Sequence, residues 1–274
     1  MQKAEPLALK MNPDGYYLAF SGGKDSQAIF QLAIMAKVKF KAYMNLTSID
    51  PTEVIRFVRQ HYPQVAMIKP KQSIYDMAIK KHILPTRKIR WCCEEYKETS
   101  GVGYVTITGI RKEESAQRAK RQSIERQHKN KNKRQQFTAT QVNKAKEYFI
   151  QCINGKEKII INPILEWTEK EVWQFLNNNN LPHCTLYDKG YKRIGCICCP
   201  QSSYKQKIKE ITDYPHVKYK WLQVCKTLKD KGYTKYELTP KEMFQWYISG
   251  ISYKKWYAQN KQQTKFNFIN NEHL

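Results

Sequence analysis

No run of about 18 apolar residues occurs anywhere in the 274-residue chain, so nothing in it reads as a membrane span. Met1 to Lys10 lack the apolar core of a secretory leader, and the two absences together set the expectation of a soluble, cytoplasmic protein. Acidic side chains are scarce: 24 Asp and Glu stand against 48 Lys and Arg, a formal charge of +24. Such an excess is more than a small-metabolite enzyme needs, and it would attract a polyanion such as DNA or RNA. A lysine-rich background composition gives the same number, and composition does not separate the two. Eight cysteines without a leader argue against a disulfide framework and for metal binding or catalysis. The Gly-x4-Gly-Lys spacing of a Walker loop is missing.

What the chain has instead is Ser21-Gly22-Gly23-Lys24-Asp25-Ser26. Tyr16 to Phe20 just before it are apolar and aromatic, the profile of a buried strand, while Ala28, Ile29, Leu32, Ala33 and Met35 after it recur at helical spacing. The glycine pair therefore sits at a strand-to-helix junction, where small residues let the backbone close on a ligand. The helix aims its first N–H groups and the positive end of its dipole at the loop. Lys24 adds a mobile charge, Ser21 and Ser26 add hydroxyl donors, and phosphate is the anion such a loop suits.

Further along, Phe40 to Leu46 and Val65 to Ile68 read as strands, with helices opened by Pro51 and running from Ile74 to Lys81. Tyr104 to Thr108 form another strand, and Gly109-Ile110-Arg111 leave its carboxyl end. Strands alternating with helices at this pitch predict an α/β fold, a doubly wound parallel sheet with ligands bound beyond the strands' carboxyl ends. Arg111 and Arg118 are placed to reach that crevice with guanidinium forks suited to phosphate or sulfate, Arg111 more so because it follows a strand and a glycine. From Arg118 to Gln136 eight basic residues accompany one acid, Glu125, which reads as a solvated, mobile excursion. It is either an arm for substrate or nucleic acid or a plain charged loop. Ile159 to Leu165 resume the sheet, and Thr168 to Glu171 form a capping box for a helix whose Trp173 and Phe175 are core. From Tyr204 to Tyr257 twelve aromatics alternate with twelve lysines in a helical pattern; packing is the first reading of the rings, base stacking the second. The expected division is an α/β domain over 1–200, with a basic insertion near 118–146, and a C-terminal helical extension over 201–274 that ends in a polar tail.

Two thiol pairs, Cys92-Cys93 and Cys196-x-x-Cys199, lie about a hundred residues apart. A Cys-x-x-Cys turn presents both sulfurs to one centre, and a second pair completes four-fold ligation. Adjacent cysteines share one tetrahedral zinc ion poorly, whereas the irons of a 4Fe-4S cluster take one sulfur each, so the cluster is expected ahead of zinc. Cys198 is an extra thiol with several roles open to it; Cys152, Cys184 and Cys225 carry no spacing signal.

Four stretches coincide in order: Ser21 to Ser26, Arg90-Trp91-Cys92-Cys93, Thr108 to Ser115 (Thr-Gly-Ile-Arg-Lys-Glu-Glu-Ser), and Gly195 to Pro200 (Gly-Cys-Ile-Cys-Cys-Pro). In this order they resemble the phosphoadenosine phosphosulfate (PAPS) reductase family of the PP-loop superfamily, over roughly residues 15–200. The paired cysteines are similar to its cluster-binding branch, which includes adenylylsulfate (APS) reductases and the sulfurtransferases of DNA phosphorothioation. The resemblance implies an adenine nucleotide α-hydrolase-like fold and an adenine nucleotide at Ser21 to Ser26, ATP with Mg²⁺ or else APS or PAPS. It also implies sulfur chemistry nearby, with Lys24, Asp25 and Arg111 as catalytic candidates. Assimilatory reductases of the family carry a catalytic cysteine near the C-terminus in a Glu-Cys-Gly-x-His-like segment; here no cysteine follows Cys225 and the tail has only His273. Three functions follow as expectations. The first is ATP-dependent, pyrophosphate-releasing sulfur transfer to a nucleic acid or other anionic acceptor, with a sulfur-donor protein as partner. The others are reduction of APS or PAPS to sulfite, and a non-catalytic nucleic-acid-binding accessory role.

Overall fold

A computed structural model describes residues 1–127, 135–137, 141, 158–234 and 236–260. Cys152, the stretch His128–Arg134, most of the remaining insertion and the tail from 261 lie outside the described residues. The chain divides into two compact units. The first is made of Met1–Leu46, Asp50–Pro70 and Glu95–Gly195, the second of Thr47–Ile49, Lys71–Glu94 and Cys196–Leu274.

The first unit holds a seven-stranded sheet: β1 (Tyr16–Ala19), β2 (Phe40–Asn45), β3 (Ala66–Ile68), β4 (Val105–Ile107), β5 (Ile124–Gln127), β6 (Gln135–Phe137) and β7 (Lys158–Ile161), in the order β3-β2-β1-β4-β7-β5-β6. From β3 to β7 every pairing is parallel; β5 runs antiparallel to both β7 and β6. Parallel strands are covered on both faces and so read as unbroken apolar runs. Accordingly Tyr16, Leu18, Val105 and Ile107 are wholly buried, with Ile159 nearly so. Helix Lys24–Met35 follows β1, and helix Thr52–His61 follows β2 behind Pro51. Ala28, Ile29 and Ala33 are the fully buried stripe of the first of these helices. Burial of Ile29 alone contributes roughly 2–3 kcal/mol.

The basic stretch after Arg118 departs from expectation. Instead of a solvated excursion, Ala116–Ala119 is helical and Ile124–Gln127 is a strand of the sheet. Ile124 supplies a buried apolar contact. Buried Glu125 is satisfied by Arg121 Nε at 2.6 and 2.7 Å, the Gln122 amide at 2.9 Å and Gln136 Nε2 at 3.2 Å. The only acid of the stretch thus draws its cations inward. The N-terminal helix Glu5–Met11 was not foreseen.

The second unit is helical: Ile74–Lys80, Trp91–Cys93, Tyr204–Asp213, Pro215–Asp230 and Pro240–Ser249. Its aromatics are mostly core. Trp221, fully buried, meets Tyr75 and Tyr247 at ring separations of 5.1 and 5.0 Å, whereas Tyr204 and Tyr219 are exposed. Lys71–Glu94 groups with these helices rather than with the sheet.

Gly22, at the turn out of β1, has φ +74°, and an added Cβ would lie 2.7 Å from Val54 Cγ1 and 3.0 Å from Val58 Cγ2. Gly190 has φ +79° with nothing within 4 Å of such a Cβ. Gly190→Ala is expected to lose about 1–2 kcal/mol for the left-handed backbone. Gly22→Ala should lose about 2–4 kcal/mol because overpacking is added. Urea denaturation of the two variants reads the difference; equal losses would show that the helix after β2 does not hold the turn.

Candidate functional site

In the first unit, β1 delivers buried Phe20 and exposed Ser21, the chain turns at Gly22, and Gly23 begins helix Lys24–Met35 with no side-chain cap. The loop is knitted by short hydrogen bonds. Ser26 Oγ donates to the Gly23 carbonyl at 2.8 Å, Ser21 Oγ to Ser26 Oγ at 3.3 Å, and Gln27 Nε2 to the Gly22 carbonyl at 3.2 Å. The Lys24 amide donates to the Tyr187 hydroxyl at 2.9 Å. Burial pushes the Tyr187 phenol well up, so it stays protonated. Trp173 packs edge-on against that ring at 4.9 Å and holds it in place.

Lys24 is buried. Its ammonium lies 3.6 Å from Asp25 Oδ2 and 3.4 Å from Glu169 Oε1. Asp25 Oδ1 accepts from Arg111 Nε at 2.6 Å, and Arg111 Nη1 reaches Glu113 at 2.6 Å and the Trp167 carbonyl at 3.3 Å. Glu113 also accepts the Glu169 amide at 2.6 Å, and this bond, together with Arg111, holds its carboxyl below the usual range.

A cavity of about 170 Å³ opens over this loop, lined by Ser21, Gly23, Lys24, Asp25, Ser26 and Arg118 among others. Arg193 and Glu114 also face it; Glu114 pairs with Arg118 and, at 3.6 Å, with Arg193. The lining is cationic and rich in donors. A second cavity of about 160 Å³ shares Ala19, Ser21 and Ile194 with the first and is lined by Tyr17, Phe20, Tyr43, Met44 and Val54. One side thus suits an anionic group and the other, aromatic and aliphatic with Asn45, Asp50, Lys97 and Lys158 also in its lining, a flat ring with polar edges, at the carboxyl ends of β1 and β2. Neither lining includes a cysteine among the described residues.

All four paired thiols fall in the second unit. The Cys92 thiol is pushed far up, first by its hydrogen bond to Cys93, then by burial and by the charges of Cys93, Cys199 and Cys196. The charges of Cys93, Cys199 and Cys196 thus all reach Cys92. No group of three or more His, Cys, Asp or Glu among the described residues is arranged to hold a metal ion. An all-thiolate set of this kind fits an iron–sulfur group by its chemistry. Thr47 Oγ1 donates to Cys196 Sγ at 3.3 Å. Cys198, between the two ligand candidates, is fully buried with φ +56°. Its amide donates to Glu210 at 2.5 Å and its carbonyl accepts from the Tyr247 hydroxyl at 2.8 Å. Burial and the Glu210 charge push its thiol well up. Lys207 is fully buried beside this turn, its ammonium held at about 8 by burial and by Arg87, against the opposing charges of Cys198, Cys199 and Glu210.

The structure therefore brings Ser21, Gly23, Lys24, Asp25, Ser26 and Arg118 to one cavity, while Gly22 packs toward Val54 and Val58. It turns Arg111, the stronger arginine on sequence, away to Asp25 and Glu113, since two carboxylates outbid solvent for a buried guanidinium. Tyr187, Arg193, Glu114 and Glu169 are site residues that sequence reasoning missed. No local pattern marks Tyr187 or Arg193; Glu114 lies in the Thr108 to Ser115 stretch and Glu169 within the capping box that announces its helix, but neither residue carries a role on sequence.

Known proteins place the chain further. It is 28% identical over 227 residues to an uncharacterised protein of Methanocaldococcus jannaschii, covering 78% of this chain and 42% of that one. To an adenosine 5′-phosphosulfate reductase of Staphylococcus haemolyticus it is 25% identical over 197 residues, 68% of this chain and 70% of the relative. The chain spans less than half the length of the Methanocaldococcus relatives it matches. Among solved structures, a phosphoadenylyl-sulfate reductase from Candida auris in complex with phosphate aligns with a TM-score of 0.43 at 19% identity, over 71% of this chain and 87% of that one. Residues 15–202 match the model of the phosphoadenosine phosphosulfate reductase domain, and the chain belongs to that family.

Proposed function

We propose that the chain is an enzyme of the sulfonucleotide kind that binds an adenine nucleotide across the two abutting cavities and acts on the anhydride at its 5′-phosphate. The observation that carries this reading is the pairing itself: a cavity with an aromatic and aliphatic wall and a few polar side chains, joined through Ala19, Ser21 and Ile194 to a cationic one over the glycine turn. The adenosine lies against Tyr43, Met44 and Val54. The 5′-phosphate and its attached acid take donors from Ser21, Ser26 and the uncapped helix start, and exchange the Glu114 carboxylate for the ligand at Arg118 and Arg193. Lys24 offsets developing charge. Asp25, fixed by Arg111, is aimed at the cavity and is the group that would orient Mg²⁺ on a triphosphate.

With a phosphosulfate, a thiolate attacks sulfur, the S–O bond breaks and the nucleotide leaves with the electron pair, as AMP from APS or as adenosine 3′,5′-bisphosphate from PAPS. A second thiol then releases sulfite, and a disulfide forms. With ATP, an acceptor oxygen attacks the α-phosphorus and pyrophosphate leaves; a sulfur nucleophile then attacks the adenylylated acceptor and AMP leaves with the bridging oxygen. The formal charge of +24 supports this second reading, sulfur transfer to a polyanionic acceptor, with a sulfur-donor protein supplying the sulfur. Cys92, Cys93, Cys196 and Cys199 would hold a 4Fe-4S cluster, which when bound supplies a redox-active, sulfur-binding centre.

Titration calorimetry with AMP, APS, PAPS and Mg·ATP should find at least one of them bound. Arg118→Ala combined with Arg193→Ala should weaken the tightest anhydride ligand by about tenfold or more. Failure of every adenine nucleotide to bind would remove the proposal; sulfite against pyrophosphate as the released product separates its two forms.

Anaerobic purification should yield about four iron and four sulfide per chain, as a 4Fe-4S cluster requires. Cys92→Ser and Cys199→Ser should each lower both. Stoichiometric zinc without sulfide would overturn the cluster assignment.

A further inference from the structure

A third cavity, of about 380 Å³ and larger than either cavity of the first unit, has no part in the chemistry proposed above. All of its lining falls in the second unit. Tyr236, Trp246 and Tyr253 form an aromatic wall, the rings of Trp246 and Tyr253 centred 5.0 and 4.2 Å from that of Tyr236. Arg87 and Lys88 add two cations, and no carboxylate lines the cavity among the described residues. Arg87 is held by neutral groups: its Nε donates to the Pro200 carbonyl at 3.1 Å and its Nη2 to the Ser202 carbonyl at 3.0 Å. The guanidinium is thus oriented while its charge meets no carboxylate among the described residues. A Cβ on Gly250, in the same wall, would lie 2.8 Å from Lys207 Nζ and 3.5 Å from Arg87 Nε. Two basic groups therefore stand at one point of the wall. Fully buried Lys207 makes one hydrogen bond among the described residues, to the Tyr247 carbonyl at 3.4 Å. Exposed Lys254 and Lys255 follow Tyr253 directly and, like Lys88, make no ion pair among the described residues.

An apolar peptide would satisfy the rings and leave the cations without an anion. A polyanion without rings would do the reverse. One unit of a nucleic-acid strand offers both, a flat uncharged ring joined to a phosphate. A base stacked and paired in a duplex cannot enter such a cavity, whereas an unpaired one can. We infer that this cavity seats an unpaired base of a single-stranded nucleic acid, DNA or RNA, with the neighbouring phosphates on Arg87, Lys88, Lys254 and Lys255. The seat adjoins the turn that carries Cys196 and Cys199: Pro200 and Tyr247 line it, and the Tyr247 hydroxyl donates to the Cys198 carbonyl at 2.8 Å. Tyr236 to Tyr253 lie beyond residue 202, where the match to the family ends, so the site is a feature of the C-terminal helices. The strand's role rests on the polyanionic-acceptor reading, which the inference narrows to single strands; its binding at this cavity is independent of the nucleotide cavities.

The test measures fluorescence anisotropy of the full chain with short labelled probes of equal length across a range of salt: oligothymidylate, oligouridylate, an abasic strand, a DNA duplex and polyglutamate. Oligothymidylate or oligouridylate should bind about tenfold or more tightly than the abasic strand, the size of one stacked base, and more tightly than the duplex; which of the two leads separates DNA from RNA. Tyr253→Ala should bring that ratio below about threefold, and Tyr253→Phe should retain it. Lys88→Ala, Lys254→Ala and Lys255→Ala together, all at exposed positions, should weaken the thymidylate and abasic strands alike and lower the salt slope by about two. Photocrosslinking of a 5-iododeoxyuridine strand to the unaltered chain should map to the segment from Tyr236 to Tyr253, which keeps the inference testable if Tyr253→Ala fails to fold. Crosslinks confined to the first unit overturn it, as does a base preference that survives Tyr253→Ala. Equal binding of thymidylate and abasic strands, tighter binding of the duplex, or equal binding of polyglutamate also overturns it, and so does failure of every strand to bind. None of these results touches the adenine-nucleotide reading, which the calorimetry above decides by itself.

Discussion

The contact between Asp25 and Arg111 governs the first unit's site. Asp25 stands in the first turn of the helix after β1, and Arg111 on the segment leaving β4; their 2.6 Å bond fastens one to the other. From there the connections continue outward. Arg111 holds Glu113, Glu113 takes the amide of Glu169 at the start of the next helix, and Glu169 returns to Lys24. Three chain segments are thus closed into a ring of charge around one cavity. The Arg111 side chain is 4% exposed, so removing its carboxylate would leave a buried cation uncompensated, a loss of order 3–5 kcal/mol. Replacing the whole ring by apolar groups could be nearly neutral for stability. The ring is better understood as geometry: it sets where the glycine turn sits relative to the end of β4.

Much of this was legible from residues alone, for a local reason. A strand, two glycines and a helix follow one another within twenty residues, and periodicity reports them directly. Spacing also reported the thiol pairs, since Cys-x-x-Cys is a statement about one turn. What failed were questions decided by distant partners. Of Arg111 and Arg118, seven residues apart, local context favoured the first for the cavity. Asp25, 86 positions upstream of Arg111, drew the first inward and left the second at the cavity. Tyr187 meets the Lys24 amide across 163 residues, beyond any window a pattern can scan. The basic stretch misled because its charge outweighed two residues: Ile124 and Glu125 make it a strand, one by burial and the other by gathering the neighbouring Arg, Gln and amide donors.

The second unit shows a different economy of means. Cys198 sits in the left-handed region, a conformation costing roughly 1–2 kcal/mol for a residue with a side chain. The backbone tolerates it because both its polar groups are held, one by Glu210 and one by Tyr247. Tyr247 in turn packs on Trp221, the largest fully buried side chain among the described residues. The helical aromatics therefore have a purpose beyond filling volume: they anchor the turn that carries Cys196 and Cys199. Packing, the first reading of those rings, and the presentation of thiols are one arrangement.

Glu114 completes the account of the anion cavity. A cavity lined by Lys24, Arg118 and Arg193 without an anion would suffer mutual repulsion and pull its own walls apart. Glu114, its side chain 8% exposed, occupies the arginines and keeps their guanidinium forks oriented. On the proposed reading, an incoming phosphate or sulfate exchanges for a carboxylate already in place at Arg118 and Arg193. The exchange favours a ligand with more charge or more oxygens than a carboxylate, because bidentate contacts to a tetrahedral oxyanion replace bonds to a single planar group. On the proposed nucleotide reading, selectivity for an anhydride over a simple carboxylate metabolite follows from that competition.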